Sequence, residues 1–292
     1  LYKLIKERGG EGKTSHACMP GCIIQCSNVV PDEEGKTIVS PLEYETIGLM
    51  GSNLGIGDLD TIAKLNAICN DLGIDTIETG AAMGMAMEAG IVEFGDNDAA
   101  LNLLNEIKDN TELGKLLSEG TLIAGKTLRV ENIPVVNGQA MPAYDSRAIK
   151  AMGVTFVTSP MGADHTYGPM IKTEDAISAS KAAQIIMAKI DCLGICMFLR
   201  GAIAKHMNLL VDLVNAVHGW NLDMDWLEDI ALEAIRNEHK FNELAGFSKE
   251  DYRMPKAFTN RKIESTNQTF DINTDELDEL RLWHDKDKVI YR

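Results

Sequence analysis

The chain reads as a mainly α-helical protein in two domains, and three observations carry that expectation. Aromatic residues make up only 5% of its 292 positions, while Ala, Leu, Ile and Met supply most of its apolar surface, a choice that favours helices over strands. Apolar residues also recur three and four apart along several stretches, the spacing that gathers them on one helical face. Finally, the segment from Ile133 to Tyr144 carries Pro and Gly and has no helical period. It sets a boundary near 140 and divides the chain into 1–140 and 141–292.

The elements follow in order. Residues 58–72 form a helix with Ile62, Leu65, Ile68 and Cys69 on one face, Asp58 or Asp60 as its cap and Gly73 at its end. Residues 75–93 form a second, rich in small residues and Met. Two short helices, 97–107 and 111–119, are parted by the polar pair Asp109-Asn110. Beyond the boundary a loop-rich stretch runs to Pro169, followed by helices at 173–190, 194–217, 223–239 and 248–251. The tail from Asn260 is polar and charged, and is expected to wrap the surface. One internal echo stands out: Asn70-Asp-Leu-Gly-Ile-Asp75 and Asp191-Cys-Leu-Gly-Ile-Cys196. Each puts a polar residue and backbone groups where a helix meets a Gly turn. Two similar helix ends and two halves of a site for a planar polar ligand both fit that echo.

Composition narrows the function. A net charge of −16 argues against a nucleic-acid partner, which demands a basic footprint. No run approaches the roughly 18 apolar residues that span a bilayer, so no membrane partner is expected. The chain opens on Leu1, already in a helical pattern, as a fragment, a processed product or a split subunit would. It has no apolar signal segment, so the expected location is cytoplasmic.

Cys18-Met-Pro-Gly-Cys22-Ile-Ile-Gln-Cys26 is the strongest motif. Three clustered thiols plus Cys196 far downstream make the arrangement that wraps an iron–sulfur cube, since one short loop supplies only three of the four ligands. Pro20-Gly21 keeps the loop from being plain helix, so its sulfurs can converge. A four-cysteine zinc site uses the same atoms but usually pairs its ligands as short CxxC knuckles. Free buried thiols are a third reading, and the natural one for Cys69 and Cys192. A disulfide framework fits poorly in a chain of this length.

Taken together, the motifs resemble the tungsten-containing aldehyde ferredoxin oxidoreductase family. The resemblance runs in order through the cysteine loop, Pro41-Leu-Glu-Tyr-Glu-Thr46, Gly51-Ser-Asn53, Asn70-Asp-Leu-Gly-Ile-Asp-Thr76 and Pro142-Ala-Tyr-Asp-Ser-Arg147. It continues through Thr158-Ser-Pro-Met-Gly-Ala-Asp-His165, Asp191-Cys-Leu-Gly-Ile-Cys196 and Tyr252-Arg-Met-Pro255. It implies the second and third, helical, domains of that family, without its N-terminal sheet domain. It also implies tungsten or molybdenum held by two pterins beside a [4Fe–4S] cluster. Cys18, Cys22, Cys26 and Cys196 would hold the cluster. Asn70, Asp75 and Asp191 would contact the pterins, with Cys196 between cluster and pterin. The pterin edge offers adjacent N–H donors, which suit a carboxylate.

Glu45 matches the family's active-site glutamate and His165 its active-site histidine. Outside the resemblance, Glu45 reads as a solvated acid at a helix start. Gly162 and Gly168 flank His165, as expected where backbone must approach a cofactor. Tyr44 and Tyr167 are candidate pocket donors. His16, His206, His218, His239 and His284 are expected to pack or be solvated, and Trp220, Trp226 and Trp283 to anchor a core or interface.

Two departures are visible. Three residues part Cys18 from Cys22 where the family more often has two, which points to a divergent branch, and Asn70 stands where Asp is usual. The implied activity is oxidation of a small aldehyde-type substrate to a carboxylic acid, with electrons passed to ferredoxin or a similar carrier. Such a carrier is itself usually acidic, so docking needs a local basic patch, for which Lys3, Arg8 and Lys13 are candidates. The alternatives are an iron–sulfur electron-transfer fragment without pterin chemistry, a reductase of activated acids on the same fold, and a zinc-stabilised helical scaffold.

Overall fold

A computed structural model describes residues 1–281; Trp283 and His284 lie outside the described residues. The chain folds as two compact units. One comprises Leu1–Val135 with Gln139–Ala143, the other Val136–Gly138 with the chain from Tyr144 onward.

The first unit begins with helix α1 (Tyr2–Arg8) and a small antiparallel sheet, β1 (Lys13–His16), β2 (Ser27–Pro31) and β3 (Thr37–Val39), in the order β1-β2-β3. Sequence reading missed this sheet, because its strands are short and lack clean alternation; every residue of β2 is buried. Helices α2 (Tyr44–Met50), α3 (Leu59–Leu72), α4 (Thr76–Glu88), α5 (Asn97–Lys108), α6 (Glu112–Ser118) and α7 (Thr121–Thr127) follow. Their core gathers Met50, Leu54, Ile62, Leu65, Met83, Leu103 and Leu104.

Helix α3 keeps its expected ends. Asp58 accepts from the Thr61 N–H, and Gly73 takes the left-handed conformation at φ 69°. Helix α4 stops at Glu88, short of the expected Glu93. Gly90 turns left-handed there, and the Ile91 N–H returns to the Ala86 carbonyl at 3.0 Å. Arg8 was a candidate for a basic docking patch, but its guanidinium forks onto both oxygens of Asp60 at 2.5 and 2.7 Å and donates to the Pro31 carbonyl at 3.0 Å. It fastens α1 to the sheet and α3, with a side chain only 16% exposed.

A two-stranded ribbon, β4 (Val135–Val136) and β5 (Gln139–Ala140), marks the change of unit in the chain. The second unit contains α8 (Lys150–Thr158), α9 (Ala176–Cys192), α10 (Arg200–Ile203), α11 (Met207–His218), α12 (Met224–Leu244), α13 (Lys256–Asn260) and α14 (Thr274–Leu280). Helix α9 packs on both α8 and α12, and Ile190, Ala231 and Ile235 are fully buried within its core.

Five expectations are corrected here. The loop-rich stretch before Pro169 holds α8, buried from Ala151 to Thr158; a helix apolar all round has no periodic signal. The expected helix 194–217 is instead a 3₁₀ turn, Met197–Leu199, then α10 and α11, separated where the His206 N–H bonds back to Ile203 at 2.8 Å. Residues 248–251 form a turn, closed by the Asp251 carboxylate on the Ser248 N–H at 2.7 Å. The region from Asn260 is more than a surface wrap, since it buries Phe270 and Leu277. Trp220 is no core anchor either: it is 53% exposed and stacks on His218 with ring centroids 4.5 Å apart.

Candidate functional site

In the first unit, Cys18, Cys22 and Cys26 lie on the one loop that joins β1 to β2. Gly21 at φ 82° and Gln25 at φ 48° turn that loop, the Cys22 N–H reaches the Met19 carbonyl at 3.3 Å, and the Ser15 hydroxyl donates to the Gln25 carbonyl at 3.0 Å. The loop is therefore built from backbone turns. All three thiols are free of disulfides, two exposed and Cys22 partly so. Among the described residues no three His, Cys, Asp or Glu side chains gather closely enough for a single metal ion.

Glu45 is buried in the first turn of α2, contrary to the solvated reading. Its Oε2 accepts from the Ala143 N–H at 2.8 Å. Asp75 caps α4, its Oδ2 accepting from the Glu78 N–H at 2.6 Å. The two acids are brought to neighbouring helix starts, because Thr46 and Thr76, one residue beyond each, share a hydroxyl–hydroxyl hydrogen bond of 2.9 Å. Asn70 is exposed in the last turn of α3. Its carbonyl accepts from the Gly73 N–H at 3.3 Å, and the Ile74 N–H returns to Cys69 at 3.0 Å.

The second unit repeats that turn. The Gly194 N–H reaches the Asp191 carbonyl at 2.9 Å and the Ile195 N–H reaches Ile190 at 2.9 Å, with Gly194 left-handed at φ 65°. Both halves of the sequence echo thus close the same paired hydrogen bonds around a left-handed Gly, the arrangement that terminates a helix in a Schellman turn. In each case the next polar residue opens a new helical turn: Asp75 caps α4 and Cys196 precedes the 3₁₀ turn.

His165 sits on a loop that Asp164 organises. Asp164 Oδ1 accepts from the Thr166 N–H at 2.6 Å, the Thr166 hydroxyl at 2.5 Å and the Tyr167 N–H at 3.0 Å. The flanking glycines are closely packed against the protein itself. A Cβ on Gly162 would lie 2.8 Å from Asn137 Cβ, and one on Gly168 would lie 2.5 Å from Met152 Sδ and 2.8 Å from Thr155 Oγ1. Burial and then the Asp164 charge raise the Asp191 carboxyl above its usual range. Burial and then Asp191 do the same to Glu238 on α12. Tyr167 is pushed up too, by burial first and then by Glu238 and Asp191. His165's loop and Asp191 therefore share one acidic neighbourhood, which includes Glu238. Sequence reading missed Glu238, whose only signal is its place on the α12 face that meets α9.

Mainly helical units with small antiparallel sheets define the fold of this chain. It is similar to the active-site complex BamBC of benzoyl coenzyme A reductase, with a TM-score of 0.64 over 94% of this chain and 50% of that one; the sequences are 13% identical, so the likeness is one of fold. The chain belongs to the aldehyde ferredoxin oxidoreductase family: the family profile for "Aldehyde ferredoxin oxidoreductase, domains 2 & 3" matches residues 5–284. It is 27% identical to the tungsten-containing aldehyde ferredoxin oxidoreductase of Pyrococcus furiosus, over 99% of this chain and 54% of that protein. It is 28% identical to the Pyrococcus horikoshii enzyme of the same name over 88% and 48%. An aliphatic sulfonate oxidoreductase, WOR-like subunit, of P. furiosus is 28% identical over 74% and 37%. The chain thus spans about half the length of the aldehyde ferredoxin oxidoreductases it matches.

Proposed function

We propose that this chain forms the two helical domains of an enzyme that oxidises aldehydes to carboxylic acids and passes the electrons to ferredoxin or a similar carrier. The supporting observation is the pair of identical Schellman turns at Asn70–Asp75 and Asp191–Cys196, each presenting a proposed ligand where the backbone is fixed by two hydrogen bonds. The donor set suits the cofactors. Four thiols free of disulfides, Cys18, Cys22, Cys26 and Cys196, are available for a [4Fe–4S] cluster. Asp75 engages one oxygen in its cap and keeps Oδ1 for a pterin N–H, with Asn70 and Asp191 as the further pterin contacts.

Bound tungsten or molybdenum with its pterins, together with the cluster, would accept the two electrons and divide them into single transfers. Water supplies the added oxygen, and two protons leave. Glu45 is suited to receive a proton because the Ala143 N–H fixes one of its oxygens in place. His165, on a loop fixed by Asp164, would donate a hydrogen bond to the substrate oxygen.

Co-expression with an N-terminal sheet domain of the family in tungstate medium, under exclusion of oxygen, tests this. The expected product contains about four iron atoms per chain, stoichiometric tungsten and pterin, and aldehyde-dependent reduction of a viologen dye. Iron and sulfide without tungsten would indicate the electron-transfer fragment, whereas zinc alone would indicate the scaffold. A loaded protein that reduces activated acids but leaves aldehydes untouched would point to the reductase.

A further inference from the structure

In a chain of net charge −16, one cavity of about 580 Å³ in the second unit is lined, among the described residues, by four cations, Arg236, Lys240, Lys249 and Arg281, and one carboxylate, that of Glu243. That volume falls in the range that holds small ligands. From this convergence we infer a binding site for a phosphate-bearing small molecule, separate from the proposed redox site.

Among the described residues, the local acids leave Lys249 and Arg281 without an ion pair. Glu243 is taken by Lys240 at 2.8 Å. Asp278, the other nearby acid that feels Lys249 and Arg281, already has both oxygens on the Arg253 fork, at 2.5 and 2.7 Å. Asp251 is engaged by the Ser248 N–H and hydroxyl at 2.7 and 2.9 Å. Arg281 lies 5.1 Å from the centroid of the buried Tyr252 ring, which holds its planar group in place. Its Nε is buried without a hydrogen-bond partner among the described residues. A buried donor without an acceptor is costly, and a phosphate oxygen would satisfy it. Tyr252 is itself pinned, its hydroxyl accepting from Asn242 at 2.9 Å, so the floor is rigid. Phe247, 37% exposed, offers apolar surface beside the charged wall. An organic phosphate with an aromatic part would use both, while inorganic phosphate would use the cations alone.

Calorimetric titration of the whole chain with inorganic phosphate, pyrophosphate and ADP tests the site. Saturable one-to-one binding of pyrophosphate is expected, weakened at least about tenfold in Lys249→Glu and unchanged in Lys3→Ala, whose lysine lies in the other unit. Lys249 is exposed, so its reversal leaves the fold intact, and a coincident thermal melt checks this. ADP binding tighter than pyrophosphate identifies the organic phosphate; equal affinity identifies the phosphate group alone. Absence of saturable binding, or equal affinity in wild type and Lys249→Glu, overturns the proposal.

Discussion

The carboxylate of Glu45 and the backbone N–H of Ala143 meet at 2.8 Å, although 98 residues separate them in sequence. The bond fastens the start of α2 to the segment that closes the first unit. It also means that one side chain carries both a structural bond and the proposed proton acceptor.

Two substitutions separate those tasks. Glu45→Gln retains an oxygen for the Ala143 N–H and should cost well under about 1 kcal/mol of stability, whereas Glu45→Ala strands a buried donor and should cost about 1–3 kcal/mol. In the loaded enzyme both should lower turnover at least about a hundredfold. Thermal melts beside steady-state rates check this; a Gln variant with full activity removes Glu45 from the chemistry.

Asp75 permits a similar separation. Asn caps a helix as well as Asp does, while Ala loses about 1 kcal/mol. Asp75→Asn should therefore melt with the wild type yet bind pterin less well, since one charged acceptor is replaced by an amide. Equal pterin content in the two would confine Asp75 to the cap.

Gly168→Ala should destabilise by about 1–3 kcal/mol, because the new methyl would meet Met152 and Thr155 on the buried helix α8. Denaturant midpoints measure it. A variant as stable as the wild type would show that α8 can shift to admit the methyl group.

The stability of the chain should respond to pH at both ends of the carboxylate range. The hydrogen bonds from Arg8 lower Asp60 and those from Arg253 lower Asp278. Their stabilisation is present above the unfolded carboxylate pKa and is lost as acidification passes their folded values. Asp191 and Glu238 are raised, chiefly by burial. The unfolded chain releases those protons first, so their contribution is complete below the unfolded pKa and declines as pH rises through the raised values. Glu238→Gln should flatten that upper decline and raise the melting temperature at neutral pH. An unchanged pH profile would mean that the two acids do not share a field.

Much of this was legible from residues. The capped α3, the pair of Gly turns and the cysteine loop follow from local chemistry that depends on a few adjacent positions, such as Asp58, Gly73 and Gly194. Helix α8 and strand β2 were hidden for a common reason: buried along almost their whole length, they show no alternation between solvent and core. The roles of Gly162 and Gly168 depend on what faces them across the fold, Asn137 and Met152, which no local pattern reveals. Glu238 likewise acquires its character from desolvation first and then from Asp191, 47 positions earlier, through the packing of α12 on α9.

The cysteine distribution has a practical consequence at the bench. Cys18, Cys26, Cys192 and Cys196 are exposed and Cys22 partly so, leaving Cys69 as the one buried thiol. Handled in air without metal, such a chain should cross-link through mixed disulfides and climb to sulfenic and sulfinic acids. Its non-reducing gel should show a ladder that collapses with reductant. Iron content measured after aerobic purification would then record the history of the sample instead of the capacity of the loop, and an anaerobic glove box becomes part of the measurement.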